Sequence, residues 1–153
     1  MKNNVIILIA ALIISTSTFA QKISADKVPA AVSSALKAKF PGASKIKWEM
    51  ENEKEFEAAF TLNGNEASAN FDKDGNWVET ETEMEFAKTP AAVQKTVNNE
   101  FAGYKIKETS QIETPDKGTF YEVEIEKDKV LNAIKISADG EVMEKSVVKD
   151  KED

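Results

Sequence analysis

Three groups of residues in this chain have types and spacings that chemistry could use. Asp72, Asp74 and Asn76 reproduce the Asp-x-Asp-x-Asn opening of a calcium loop, in which a hard cation collects oxygens from alternate positions. Gly75 falls two places before such a loop needs its glycine, Glu83 at the twelfth position lies beyond a strand, and the matching stretch Ser137-Ala138-Asp139-Gly140 has lost an acid. A tight turn needs the same residue types, so a turn is the reading this segment supports. Glu79, Glu81 and Glu83 form the second group, together with Glu122, Glu124 and Glu126. Paired carboxylates serve as acid and base in glycoside hydrolysis when they stand about 5 to 9 Å apart across a cleft. Spaced by two along a strand, they form its solvated face instead, and no long loop accompanies them to wall a pocket. The third group is aromatic: Trp48, Phe56, Phe60, Phe71, Trp77, Phe120 and Tyr121. Most fall in the apolar phase of a core. Phe120 is the exception, because with Tyr121, Val123 and Ile125 turned inward it points outward among the glutamates, either as an exposed anchor for a partner or as a side chain covered by the adjoining half of the chain.

The residue types that are absent narrow the chemistry further. The 153 residues include no His, no Cys and no Arg. Missing with them are the usual general base near neutral pH, the thiol nucleophile, the common zinc, copper and iron ligands, and the guanidinium that clamps oxyanions. No catalytic residue, metal site or cofactor is assigned. With 27 acidic against 20 basic side chains and a net charge of −7, neither half offers the basic patch that a phosphate backbone requires, so nucleic acid is excluded as a partner.

The elements that must position these residues are written twice. Val28-Pro29-Ala30-Ala31-Val32 with Phe40 and Gly42 returns as Thr89-Pro90-Ala91-Ala92-Val93 with Phe101 and Gly103. Lys45-Ile46-Lys47 returns as Lys105-Ile106-Lys107, Phe56-Glu57-Ala58-Ala59-Phe60 matches Tyr121-Glu122-Val123-Glu124-Ile125, and Phe71 with Asp74-Gly75 matches Ile136 with Asp139-Gly140. Self-similarity of this kind describes architecture first. Proline at the start, apolar residues at helical spacing and Pro41-Gly42 as a stop predict a helix over 28–40 and its counterpart over 89–101. Four strands are predicted after each: 45–50, 55–62, 66–71 and 77–84, then 104–113, 119–126, 130–137 and 142–149. Connections of two to five residues make them antiparallel neighbours, and the turn at Asp72-Lys73-Asp74-Gly75 places Phe71 and Trp77 on one face, as Ile136 and Val142 are placed in the second half. The inward set of the fourth strand stays open between Trp77, Glu79, Glu81 and Val78, Thr80, Thr82, Met84. The fold class expected is α+β, a tandem repeat of one helix plus a four-stranded antiparallel meander with the helices on one side, occupying 21–86 and 87–153.

Residues 1–20 are set apart. Lys2, the apolar run Val5 to Ile14 and Thr18-Phe19-Ala20 have the form of a signal peptide cleaved after Ala20, and the run falls short of the roughly 20 residues a membrane span needs. A periplasmic or secreted location is expected, with no membrane association after cleavage. Gln21 to Lys27 and the tail Lys149 to Asp153 lack apolar periodicity and are expected to fray.

The tandem units, the helix entry Val28-Pro29-Ala30-Ala31-Val32, the stop Phe40-Pro41-Gly42-Ala43, Ile46-Lys47-Trp48 and the hairpin Asp72-Lys73-Asp74-Gly75-Asn76-Trp77 together resemble the PepSY-like, β-lactamase-inhibitor-like family of exported bacterial proteins. That resemblance covers nearly all of the chain after residue 20 and implies helices layered on one face of a larger curved antiparallel sheet. A fold is a weak warrant for an activity. The function expected is that of an exported, noncatalytic module that engages or inhibits a protein or peptide partner, a basic one, through the sheet face away from the helices. Lys47, Glu49, Glu57, Ala59, Thr61, Ser68 and Asn70 would present that face from the first half, and Phe120, Glu122 and Glu124 from the second. The alternative is a periplasmic protein that binds a small ligand or calcium, with a glycosidase-like enzyme third.

Overall fold

A computed structural model of the protein describes residues 21–148; the segment 1–20 and the tail 149–153 lie outside the described residues, and with them the signal-peptide reading. The chain runs β1 (Gln21–Ile23), α1 (Ala30–Lys39), β2 (Ser44–Asn52), β3 (Glu55–Leu62), β4 (Asn65–Asp72), β5 (Trp77–Glu83), α2 (Ala91–Glu100), β6 (Lys105–Thr114), β7 (Gly118–Lys127), β8 (Val130–Ser137) and β9 (Val142–Val147). The nine strands form one open antiparallel sheet whose spatial order is the order of the chain.

One expectation is overturned at the start of the sheet. Gln21–Ile23 does not fray: it pairs antiparallel with β2, Ile23 opposite Trp48, and a 3-10 turn over Ala25–Lys27 carries the chain into α1. The apolar pattern is too short to read in three residues, and Ile23 is held because it packs on the core beneath α1. The segment before α2 is built alike, since β5 is followed by a 3-10 turn over Phe86–Lys88. Strand β5 therefore closes the first four-stranded run and also stands beside β6 as β1 stands beside β2.

Each helix is short and amphipathic, and each buries one stripe on the sheet. Val32 and Leu36 of α1 sit in a cluster with Trp48, Ala58, Phe60, Ala69 and Phe71, while Val93 and Val97 of α2 meet Tyr121, Val123, Ile125, Ile134 and Ile136. Register shows that both helices lie on the same side. Trp48, Ala58, Ala69 and Thr80 oppose one another in turn across β2–β5, Thr82 next faces Gln111, and Gln111, Tyr121 and Ile136 continue the row across β6–β8. Directly opposed residues share a face.

The fourth strand resolves in a way that strict alternation does not allow. A register shift between Asn70 and Phe71 leaves Trp77 opposite Phe71 while Thr80 opposes Ala69, so Trp77, Thr80 and Thr82 all face the helices and Glu79, Glu81 and Glu83 face away. A bulge adds one residue and reverses the phase. Trp77 is fixed there by its Nε1–H, which donates to Thr80 Oγ1 at 2.9 Å, and by Lys39 Nζ, 3.5 Å above its ring.

Between the two apolar clusters the helix side of β5 and β6 is polar. Thr109 is 4% exposed and its Oγ1 lacks a hydrogen-bond partner among the described residues, opposite the buried Val123. An unpaired buried hydroxyl costs about 1 kcal/mol or more. Thr109→Val, close in shape, is expected to raise stability by about 1 kcal/mol in urea unfolding; a loss would show that the hydroxyl holds a water.

Candidate functional site

The helix-free side of the sheet gathers the residues that sequence reasoning assigned to partner binding. Lys47, Ala59 and Ser68 stand in one cross-strand row that continues through Glu81, Ile112, Phe120 and Ser137. Glu49, Glu57 and Asn70 form the next row, ending at Glu79. Thr61 lies opposite Ser44 and Glu66. Glu122 is opposite Ser110 and Lys135, and Glu124 is opposite Glu108 and Ala133. All ten predicted residues thus share the face away from the helices.

The face is hollow rather than flat. Ile112, Phe120, Ser110 and Ala133 belong to it by register, yet all are buried with no helix above them. Phe120 is 4% exposed, which corrects the reading of it as a protruding anchor and leaves the alternative, a covered side chain.

Two depressions occupy this surface. The larger, about 380 Å³, lies over β2–β6 and is lined by Lys45, Lys47, Ala59, Thr61, Ser68, Glu66, Glu81, Glu83, Glu108 and Ser110, among others. The smaller, about 20 Å³, is lined by Glu81, Glu108, Thr109, Ser110, Glu122 and Glu124, room for about one water. Four predicted residues, Lys47, Ala59, Thr61 and Ser68, line the larger cleft, and Glu122 and Glu124 line the smaller. Glu49, Glu57, Asn70 and Phe120 lie on the same face outside both.

The acidic wall of the cleft is not legible as one group in the sequence. Glu81 and Glu83 were legible as a strand face, but which face depended on the bulge at Asn70/Phe71. Glu108 and Lys45 are displaced by register shifts between Ile106 and Glu108 and between Ser44 and Lys47, so alternation does not place them. A positive φ of 54° at Lys45 belongs to the same irregularity.

The electrostatics follow from crowding acids in a hollow. Burial, followed by Glu51, raises the Glu57 carboxyl above its ordinary value, while a hydrogen bond from Ser68 opposes the shift. Burial raises Glu79 against the pull of Lys135, and raises Glu108 together with Glu124 and Glu81. Glu122 is pushed up to about 7 by burial, with Lys135 opposing and Glu81, Glu124 and Glu79 reinforcing. Lys135 Nζ lies 3.9 Å from Glu122 and 3.7 Å from Glu144, so one ammonium is divided between two carboxylates. The surface is short of cations.

At the opposite end of the chemistry, the Asp72 carboxylate is occupied by its own turn. It accepts from the amides of Asp74 and Asn76 at 2.9 Å and from Asn76 Nδ2 at 2.8 Å, and these bonds hold it below its ordinary value. Its oxygens serve the turn, as turn chemistry requires.

Comparison with known proteins gives a consistent result. The family described as "Putative beta-lactamase-inhibitor-like, PepSY-like" matches residues 15–63 and 54–144. The sequence finds no match among curated proteins. Among solved structures, the chain is similar to a BLIP-like protein from Bacteroides fragilis NCTC 9343, with a TM-score of 0.73 and 26% identity over 82% of this chain and 90% of that one. A DUF2874 family protein from Bacteroides uniformis ATCC 8492 has a TM-score of 0.74 at 24% identity, covering 81% of this chain and 92% of its own. A "putative periplasmic" protein from Bacteroides eggerthii DSM 20697 has a TM-score of 0.73 at 24% identity, covering 78% and 88%. The last two likenesses concern the fold.

Proposed function

The chain belongs to the PepSY-like, β-lactamase-inhibitor-like family, and from that premise we propose that it is an exported, noncatalytic module that binds a basic protein or peptide partner on its open sheet face. The observation that carries this reading is the face itself: one continuous, hollow surface across the sheet, with both helices behind it and glutamates that outnumber its lysines. Such a face needs neither nucleophile nor metal to act, and its charge would steer a positive partner toward it. Export accords with the signal-like segment 1–20 and with the periplasmic description of a protein of the same fold; no helix among the described residues is long and apolar enough to cross a membrane. We read the chain as two copies of one unit joined through β5. The family's description suggests inhibition of a hydrolase as the form that binding takes.

The small-ligand alternative gains some support from the cleft, whose volume lies within the range of ligand pockets. Its lining argues the other way, since ligand pockets are mostly apolar and half of the lining side chains here are charged. The test is capture of a partner from periplasmic extract by wild type, by a Glu57→Lys/Glu81→Lys/Glu122→Lys variant, and by Glu100→Lys on α2 as a charge control. A protein retained by wild type and the control but lost by the triple variant is the expected result. Recovery unaffected by the triple variant would reject the open face.

A further inference from the structure

Given the open-face reading, on which this inference rests, we propose that the cleft walled by Glu66, Glu81, Glu83 and Glu108 and floored by Ser110 receives a single lysine or arginine side chain of the partner protein. Two independent observations meet there. The first is charge: four glutamates converge on one cavity of about 380 Å³, and the nearest cations, Lys45 and Lys47, belong to β2 at the cleft's other side. The second is Ser110. It is 3% exposed and lines both depressions, and its hydroxyl forms no side-chain hydrogen bond to another described residue. A hydroxyl that lines a cavity without a side-chain partner is free to bond with what enters it.

The two ends of the cleft then orient the guest. Lys45 and Lys47 repel a cation, so the positive group is driven toward Glu81, Glu83 and Glu108, where Ser110 Oγ can accept one of its N–H bonds. An ammonium or guanidinium on a long apolar stem also suits Ala59, which sits on the same row between Lys47 and Ser68. A free carboxylate or phosphate would meet the glutamates head-on.

The experiment titrates protein expressed from the full chain with two capped pentapeptides identical except for a central Arg or Gln, and with putrescine, following backbone amide shifts at low ionic strength. Shifts confined to β4–β6 around Ser68, Glu81 and Ser110, with the Arg peptide bound at least about tenfold tighter than the Gln peptide, are expected. Glu81→Gln/Glu108→Gln should abolish that preference, and Glu126→Gln, on the same face beyond the cleft, should leave it intact. Equal binding of both peptides, shifts centred elsewhere, or putrescine bound as tightly as the Arg peptide would overturn the assignment, the last by making it a small-cation site. Should the Arg preference be missing while capture still depends on the open face, the cleft assignment fails and the face reading stands; should capture lose that dependence, the face reading itself has failed.

Discussion

Gly75→Ala is expected to lower the stability of the protein by about 3 kcal/mol, while Gly64→Ala costs about 1. Both glycines have left-handed backbone, with φ of +85° and +88°, where an L side chain crowds its own carbonyl. They differ in what surrounds them. A Cβ on Gly64 would meet nothing within 4 Å, whereas on Gly75 it would stand 2.8 Å from the carbonyl oxygen of Ala31 in α1. That oxygen is backbone in the first turn of a helix and cannot swing aside, so turn and helix must separate and loosen the core beneath. Gly140 repeats the arrangement against Ala92 O at 2.8 Å and Thr96 Oγ1 at 3.0 Å, with the Thr96 hydroxyl donating to the Gly140 carbonyl at 2.6 Å. Urea unfolding of the alanine variants at 64, 75 and 140 separates the two terms. Equal losses at 64 and 75 would show that the hairpin does not brace the helix.

The second large effect is one of pH. Burial places the Glu122 pKa at about 7, above the ordinary 4.5, so the folded protein holds that proton more tightly than the unfolded chain. The stabilisation this brings is complete below pH 4.5 and is lost as the pH rises through about 7. Discounted for partial exposure, the loss is about 2 kcal/mol between pH 4.5 and 8. Glu57, Glu79 and Glu108 shift in the same direction, whereas the lowered Asp72 and Asp116 act only below this window. Glu122→Gln should therefore be more stable than wild type at pH 8 by about 2 kcal/mol, with the difference gone near pH 4. Parallel stability–pH curves for the two proteins would refute the assignment.

Much of this architecture was legible where the residue pattern is redundant. Pro29 with Val32 and Leu36, and Pro90 with Val93 and Val97, announce the helices twice; the turn Asp72 to Gly75 sets Phe71 against Trp77 as its chemistry requires. The open face was legible because Glu57, Ala59 and Thr61 alternate with the core residues Ala58 and Phe60. What could not be read depends on single inserted residues and on chain-distant packing. The bulges in β2 and β6 hide the faces of Lys45 and Glu108, the shift at Asn70/Phe71 splits β5 between the two candidate inward sets, and the burial of Phe120 depends on neighbours from other strands. Strand β1 is ordered by its neighbours, not by its own three residues.

The strand order, identical to the order of the chain, sets the entropic cost of assembly. Six of the eight pairings close through hairpins, and only β1–β2 and β5–β6 enclose a helix. Loop-closure cost grows with the length enclosed, so the sheet extends mostly by adding a strand to one already placed. Pairing between chain neighbours is expected to make assembly faster than in a sheet of the same size with crossed connections, and to shorten the time for which strand edges stand unpaired.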